Sequence, residues 1–257
     1  MSFEESALLL AGGLFLAMLA MQEIGRWLGV RARKRGGDAA VAGSGVVEGA
    51  VFALLGLLIA FTFSGAASRF DERRKLIVEE ANAIGTAYLR LDLLPQAAQA
   101  DLRASFRRYL DTRLAIYRAL PDLAKAKVEL ARAAGLQQEI WTKSLAAAAG
   151  SPQPATVLLL PALNQMFDIT TTRTMAGQMH PPMIIFALLC GLALLSAMLA
   201  GYAASGVKAR NWVHTTVFAL TLAGAVYVIL DIEFPRVGFI RVDAFDQVLV
   251  DLRQSMR

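Results

Sequence analysis

The sequence predicts an all-α integral membrane protein with four spanning helices and a helical soluble region between the second and third, and three observations carry that reading. Of 257 residues, 56% are apolar and only 18% charged, whereas soluble chains run near 45–50% and about 25%. Four stretches approach or reach the ~20 apolar residues that a helix needs to cross a hydrocarbon core about 30 Å thick. Between the second and third of them, about 110 residues alternate charged with apolar side chains at helical spacing.

The first stretch, Ser6 to Gln22, has no formal charge and continues amphipathically through Ile24, with Arg26 and Trp27 at the interface. Glu4 and Glu5 stand where a secretory leader is basic, and no small-x-small site precedes a mature domain, so an uncleaved helix is expected. A short connection with Gly36, Gly37, Gly43 and Gly45 leads to the second span, Gly49 to Ser68. That span runs on without a break, because Arg69 to Leu94 contains one glycine and no proline before Pro95. Pro95, Pro121-Asp122 and the stretch Gly150 to Pro154 divide the remainder into helices near 97–119, 122–149 and 161–177. Pro181-Pro182 opens the third span, Met183 to Val207, and Asn211 to Leu230 is the fourth. The expected organisation is membrane helices in 1–68, a soluble region over 69–180, membrane helices in 181–232 and a tail over 233–257.

A net charge of +5 and a pI near 9.6 suit basic loops at lipid headgroups, so the bilayer is the expected partner and nucleic acid is not. Lys and Arg near the span ends number seven on each side, counting Lys208 and Arg210, which leaves sidedness open. A single cysteine, Cys190, excludes an intrachain disulfide framework, and in the third span it reads as a small hydrophobe. Two histidines, His180 and His214, fall where an amphipathic ring rests at the interface. No cofactor and no metal site is expected. Without a phosphate-cradling glycine loop, G-x-S-x-G, H-E-x-x-H or C-x-x-C, an enzyme is not expected either.

The informative segment is the second span and its extension. Gly49, Ala53, Gly56, Ala60, Ser64 and Ala67 recur at three- and four-residue steps, a face of small side chains that admits close approach by a helix of this chain or its neighbour. Beside it, Ala53, Leu57 and Phe61 form an i, i+4, i+8 line. Two readings of that line are open: it fills a helix-bundle core, or it projects into an axis shared by several copies and forms a hydrophobic constriction. Beyond the membrane, Arg69, Asp71, Glu72, Arg73, Arg74 and Lys75 place six charges in seven positions. Asp71 with Lys75 reads as a solvated i, i+4 pair. Glu79, Glu80 and Arg90 follow on a helix whose Leu76, Ile77 and Ala81 to Tyr88 are largely apolar, so a buried ion-pair network competes with an exposed face.

The run Gly56-Leu57-Leu58-Ile59-Ala60-Phe61 through Arg69-Phe70-Asp71-Glu72-Arg73 resembles the second transmembrane helix of bestrophins, where spaced aromatics lead into Arg-aromatic-aromatic-Glu. Asp231-Ile232-Glu233-Phe234-Pro235, then Asp243 and a helix from Phe245 to Arg253, is similar to the acidic segment after the last bestrophin span. Glu79 to Arg90 with Leu93-Leu94-Pro95 resembles the bacterial bestrophin-like membrane proteins of unknown function. The resemblance implies a pentamer in the inner membrane, each multi-pass subunit placing its second helix at an ion pore, with inorganic ions as the passengers. It puts the neck at Ala53, Leu57 and Phe61. This sequence departs from the family at Ala53, at Asp71 in place of the second aromatic, and in lacking the eukaryotic acidic calcium clasp. The competing expectation is a non-conducting scaffold or sensor whose soluble helices bind a protein partner.

Overall fold

A computed structural model describes residues 3–37, 44–207 and 211–256; Gly43, Lys208 and Arg210 of the expected loops lie outside the described residues. Among the described residues the regular elements are all helical: α1 (Phe3–Gly36), α2 (Ser44–Leu89), α3 (Gln96–Ala119), α4 (Leu123–Ala148), α5 (Gln153–Gln178), α6 (Met183–Ala203), α7 (Trp212–Glu233) and α8 (Gln247–Ser255). Four helical stretches among the described residues are long and apolar enough to cross a membrane, as the sequence predicts. The chain forms two compact units, Met1–Ser68 with His180–Ile240 and Arg69–Met179 with Arg241–Arg257.

In the first unit α1 packs against α6 and α7. The α1–α6 seam is made of small residues. A Cβ added at Gly25 would stand 1.9 Å from the backbone oxygen of Met198, and one at Gly201 would stand 1.9 Å from that of Gln22. Ala197, Gly201 and Ser205 share one edge of α6 and its following turn, all three buried, the spacing that lets two backbones meet in lipid. Arg33 Nε closes the seam by donating to Ser205 Oγ at 3.1 Å. Met18, Leu55, Leu189, Ala193, Ala219 and Val226 fill the core beside it.

Asn211 caps α7, its Oδ1 accepting from the His214 amide at 3.1 Å. At the other end of α7, Asp231 accepts from the amides of Phe239 and Ile240 at 2.7 and 2.6 Å. His180 does more than rest at an interface: Nδ1 lies 3.0 Å from Oε1 of the buried Glu233, and its ring stacks on Phe234 with centroids 4.3 Å apart.

The second unit is built on the extension of α2, α3, α4, α5 and α8, around Ile84, Leu91, Phe106, Leu110, Ile140 and Leu163. Asp122 starts α4 by accepting from the amides of Ala124 and Lys125, both at 3.1 Å. Arg253 of α8 forks onto Asp111 of α3 at 2.7 and 3.0 Å. The expected helix near 161–177 in fact begins at Gln153. Pro154, read as part of the boundary, falls in the first turn, where its missing N–H has no intrahelical partner to lose, and Pro161 is carried inside the helix. The α2 extension ends at Leu89 in a 3₁₀ turn, Arg90–Leu93, just before Pro95.

Candidate functional site

The 46 residues of α2 present two faces of opposite fate. Only 6% of its apolar span is buried, against 22% in each of the other three spans. Leu55 and Ala66 turn inward to the core, and Phe52 meets Phe218 with ring centroids 5.8 Å apart. Leu57 and Phe61 turn outward, 52% and 67% exposed, with Ala53 exposed beside them. A helix turns about 100° per residue and rises about 1.5 Å, so these three positions share one sector over about 12 Å of axis.

The same sector continues down the helix. Ser64, Ser68, Lys75, Glu79, Asn82 and Thr86 lie within about 60° of Leu57 by that geometry, and all are exposed. The face is therefore apolar through Phe61, hydroxylated at Ser64 and Ser68, and mainly polar from Asp71 to Thr86, with the exposed Val78 at its border. Gly49, Gly56 and Ala60 flank it and are exposed. No other side chain or neighbouring helix lies within 4 Å of where a Cβ would stand on Gly49 or Gly56. Among the described residues, Gly49, Ala53, Gly56, Ala60 and Ser64 of the small stripe read from the sequence are left exposed, and Ala67 is partly buried.

The charged residues of the extension separate in the same way. Asp71, Glu72 and Glu79 are exposed, and Asp71 takes Arg74 at 3.0 Å in place of the expected Lys75. Arg73 is buried, its Nε and Nη2 donating to the carbonyls of Ala176 and Met179 at 3.1 and 2.9 Å, so a cation satisfies the end of α5. Arg90 donates to the Leu158 carbonyl. Arg69, half-buried, stands between the two groups.

Glu80 is the centre of the buried set. Its carboxylate is fully enclosed, with Arg113 Nε at 2.5 Å on one oxygen and Arg173 Nη1 on the other. Tyr117 Oη donates to the second oxygen at 3.3 Å, and the Arg173 guanidinium lies 3.7 Å from the centre of the Tyr117 ring. Arg173 also reaches Asp246 at 3.0 Å. Burial by itself pushes the Glu80 carboxyl up, and the two guanidiniums outweigh it and hold the group below the ordinary carboxylate range. Beside this network burial pushes the Tyr109 phenol up, and its hydroxyl meets Thr170 Oγ1 at 2.8 Å.

Arg113, Arg173, Tyr117 and Asp246 complete the Glu80 network, and sequence reasoning did not single them out for it. A signal was present for one of them: Phe106, Tyr109, Leu110 and Arg113 fall on one stripe of α3, which puts an arginine on an otherwise apolar buried face. Among the described residues no group of three or more His, Cys, Asp or Glu is placed to hold a metal ion.

A bestrophin-like domain model matches residues 15–244. The chain belongs to the bestrophin-like family. Solved bestrophin folds agree with that assignment. The chain is 14% identical to an isoleucine-to-threonine variant of a bacterial bestrophin homologue from Klebsiella pneumoniae, with a TM-score of 0.65 over 93% of this chain and 98% of that one. A tyrosine-to-alanine variant of the same homologue gives 15% identity and a TM-score of 0.63 over 93% and 98%. A proline-to-alanine variant of a membrane protein gives 16% and 0.61, again over 93% and 98%. No curated protein matches the sequence. At these identities the structures establish a shared bestrophin fold.

Proposed function

We propose that this bestrophin-like chain is the subunit of a homo-oligomeric ion channel, a pentamer in the bacterial inner membrane, whose pore is lined by the outward face of α2. The neck is formed by Ala53, Leu57 and Phe61. The observation that carries the reading is the uncovered apolar sector of α2 with Gly49, Gly56 and Ala60 at its edge. Acyl chains accept any apolar surface, whereas a strip without side chains serves close approach by another helix. The core of the first unit is an apolar cluster of its own side chains, so in this reading the water path runs between copies. Facing copies would present a dry constriction at Leu57 and Phe61, then hydroxyls, then the charged ring of Asp71, Glu72, Lys75 and Glu79. Such a neck gates or filters by dewetting.

Purified protein reconstituted in planar bilayers tests this. Leu57→Ala and Phe61→Ala should each raise single-channel conductance, and currents unchanged in both would remove them from the neck. The second reading, a non-conducting scaffold, draws on Leu123 and Val128, each 67% exposed on α4. It predicts intact assemblies without current in wild type and variants alike.

A further inference from the structure

The helix α1 is 34 residues long, about 51 Å at about 1.5 Å per residue, and so outruns a hydrocarbon layer about 30 Å thick. Its basic end stands beyond the apolar layer, and there the helix divides by sides. Gly25, Gly29 and Arg33 turn toward α6 and its following turn: the glycines lie against the backbone of Met198 and Tyr202, and Arg33 donates to Ser205. At about 100° per residue, Ile24, Trp27, Arg31 and Lys34 fall on the opposite side, with Leu28 and Arg35 at its border. All six are exposed.

This outward side changes character along the axis. It is apolar at Ile24 and Leu28, aromatic at Trp27, which is 60% exposed as tryptophans are at headgroup level, and cationic from Arg31 on. The Arg31 guanidinium lies 5.5 Å from the centre of the Trp27 ring, a cation–π contact that steadies the planar group and leaves its N–H edges to an acceptor. Among the described residues no carboxylate pairs with Arg31, Lys34 or Arg35. The sequence around them keeps the balance positive. From Glu23 to Val51 it carries five basic residues against Glu23, Asp38 and Glu48, and the connection from Val207 to Asn211 adds Lys208 and Arg210 with no acid.

Three cations set directly beyond an exposed aromatic and apolar strip match a ligand with an anionic head on an apolar tail. We infer that the outward side of the end of α1 binds an anionic phospholipid, with Arg31, Lys34 and Arg35 on its phosphate and Ile24, Trp27 and Leu28 along its acyl chains. A free phosphate would use the cations and leave the apolar strip idle. The site stands or falls apart from the channel reading, since it uses no residue of the α2 outward face.

Native mass spectrometry of the delipidated full-length protein, titrated with phosphatidylglycerol and phosphatidylcholine of matched chains, measures the preference. One Lys or Arg near an anionic surface is worth about fivefold, so wild type should favour phosphatidylglycerol by at least about fivefold, less as salt rises. Arg31→Gln with Lys34→Gln and Arg35→Gln should cut that ratio by about fivefold or more. The same change of charge in the second unit, Arg107→Gln with Arg118→Gln and Lys127→Gln, should leave it. A wild-type ratio near one, a ratio unmoved by the first triple variant, or equal losses in both overturns the site. Displacement of the lipid by soluble glycerol 3-phosphate at lipid concentrations would make the ligand a free solute and overturn the lipid assignment. Location is read with the cations intact, whether or not the triple variant folds: in protein carrying Trp141→Phe and Trp212→Phe, brominated phosphatidylglycerol should quench Trp27 more strongly than brominated phosphatidylcholine at equal mole fraction. Equal quenching, or none from either lipid because another copy covers the face, overturns the proposal.

Discussion

Glu79 and Glu80 are neighbours on α2 with opposite surroundings: Glu79 is exposed on the outward sector, while Glu80 is enclosed by Arg113 and Arg173. The pair condenses the difference between the two faces of the helix. The inward face, with Leu55, Ala66, Arg73, Ile77 and Glu80, is completed by the chain itself. The outward face, from Ala53 to Thr86, is left open by the described residues. A side chain on the first face is answerable to folding, and one on the second to whatever assembles around it.

Substitutions can break that contrast, beginning with the largest expected effect. Glu80→Ala leaves the buried Arg113 guanidinium without its counter-ion and Arg173 with Asp246 alone, and should cost about 3–5 kcal/mol, seen as a large fall in melting temperature. Glu79→Ala beside it should leave the melt within about 0.5 kcal/mol. Equal losses from the two would end the distinction between the faces.

Gly25→Ala should come next. Its new methyl meets the Met198 backbone oxygen, which cannot step aside as a side-chain tip would, and overpacking of this kind costs about 1–3 kcal/mol or more. Gly56→Ala, into open space, should hold or raise the stability of the isolated subunit by up to about 1 kcal/mol. If copies close on that strip, Gly56→Leu should shift the assembly to lower mass by light scattering while the subunit melt stays put.

Acid sharpens the comparison more gently. The Glu80 carboxyl is depressed in the folded chain, and hydrogen bonds from Lys143 and Ser105 hold Glu139 down to about 2 from 4.5. A group depressed on folding stabilises above its unfolded value and loses that contribution as pH falls through its folded one. The melting temperature should therefore decline as pH drops from about 4.5 toward 2, the Glu139 window, and Glu139→Gln should flatten part of the slope. Smallest of all is Asp71→Ala, which breaks an exposed pair with Arg74 and should change stability by less than about 0.5 kcal/mol.

Much of the architecture was legible because lipid imposes length and apolarity on every span, and Gly49–Ser68, Met183–Val207 and Asn211–Leu230 satisfy both without a charge. The unbroken second helix was legible from the absence of proline before Pro95. The start of α5 was not, since Pro161 weighs against a helix running through it and the packing of Leu159 and Leu163 overrides it. The line Ala53, Leu57, Phe61 could be read as a line because periodicity needs no partner, whereas its outward direction depends on which opposite residues the rest of the chain covers. Glu80 could be suspected of burial, but its partners are 33 and 93 positions away, beyond any local pattern.

The meeting of Gly25 with Met198 and of Gly201 with Gln22 is a contact of main chain on main chain. Rotamers play no part in it, so a damaged version offers no neighbouring side chain to trim in repair. Second-site revertants of Gly25→Ala should accordingly be scarce nearby, and those that arise should let a whole helix slide or tilt. In this seam the tolerance for change is set by a rigid body and not by the residues surrounding it.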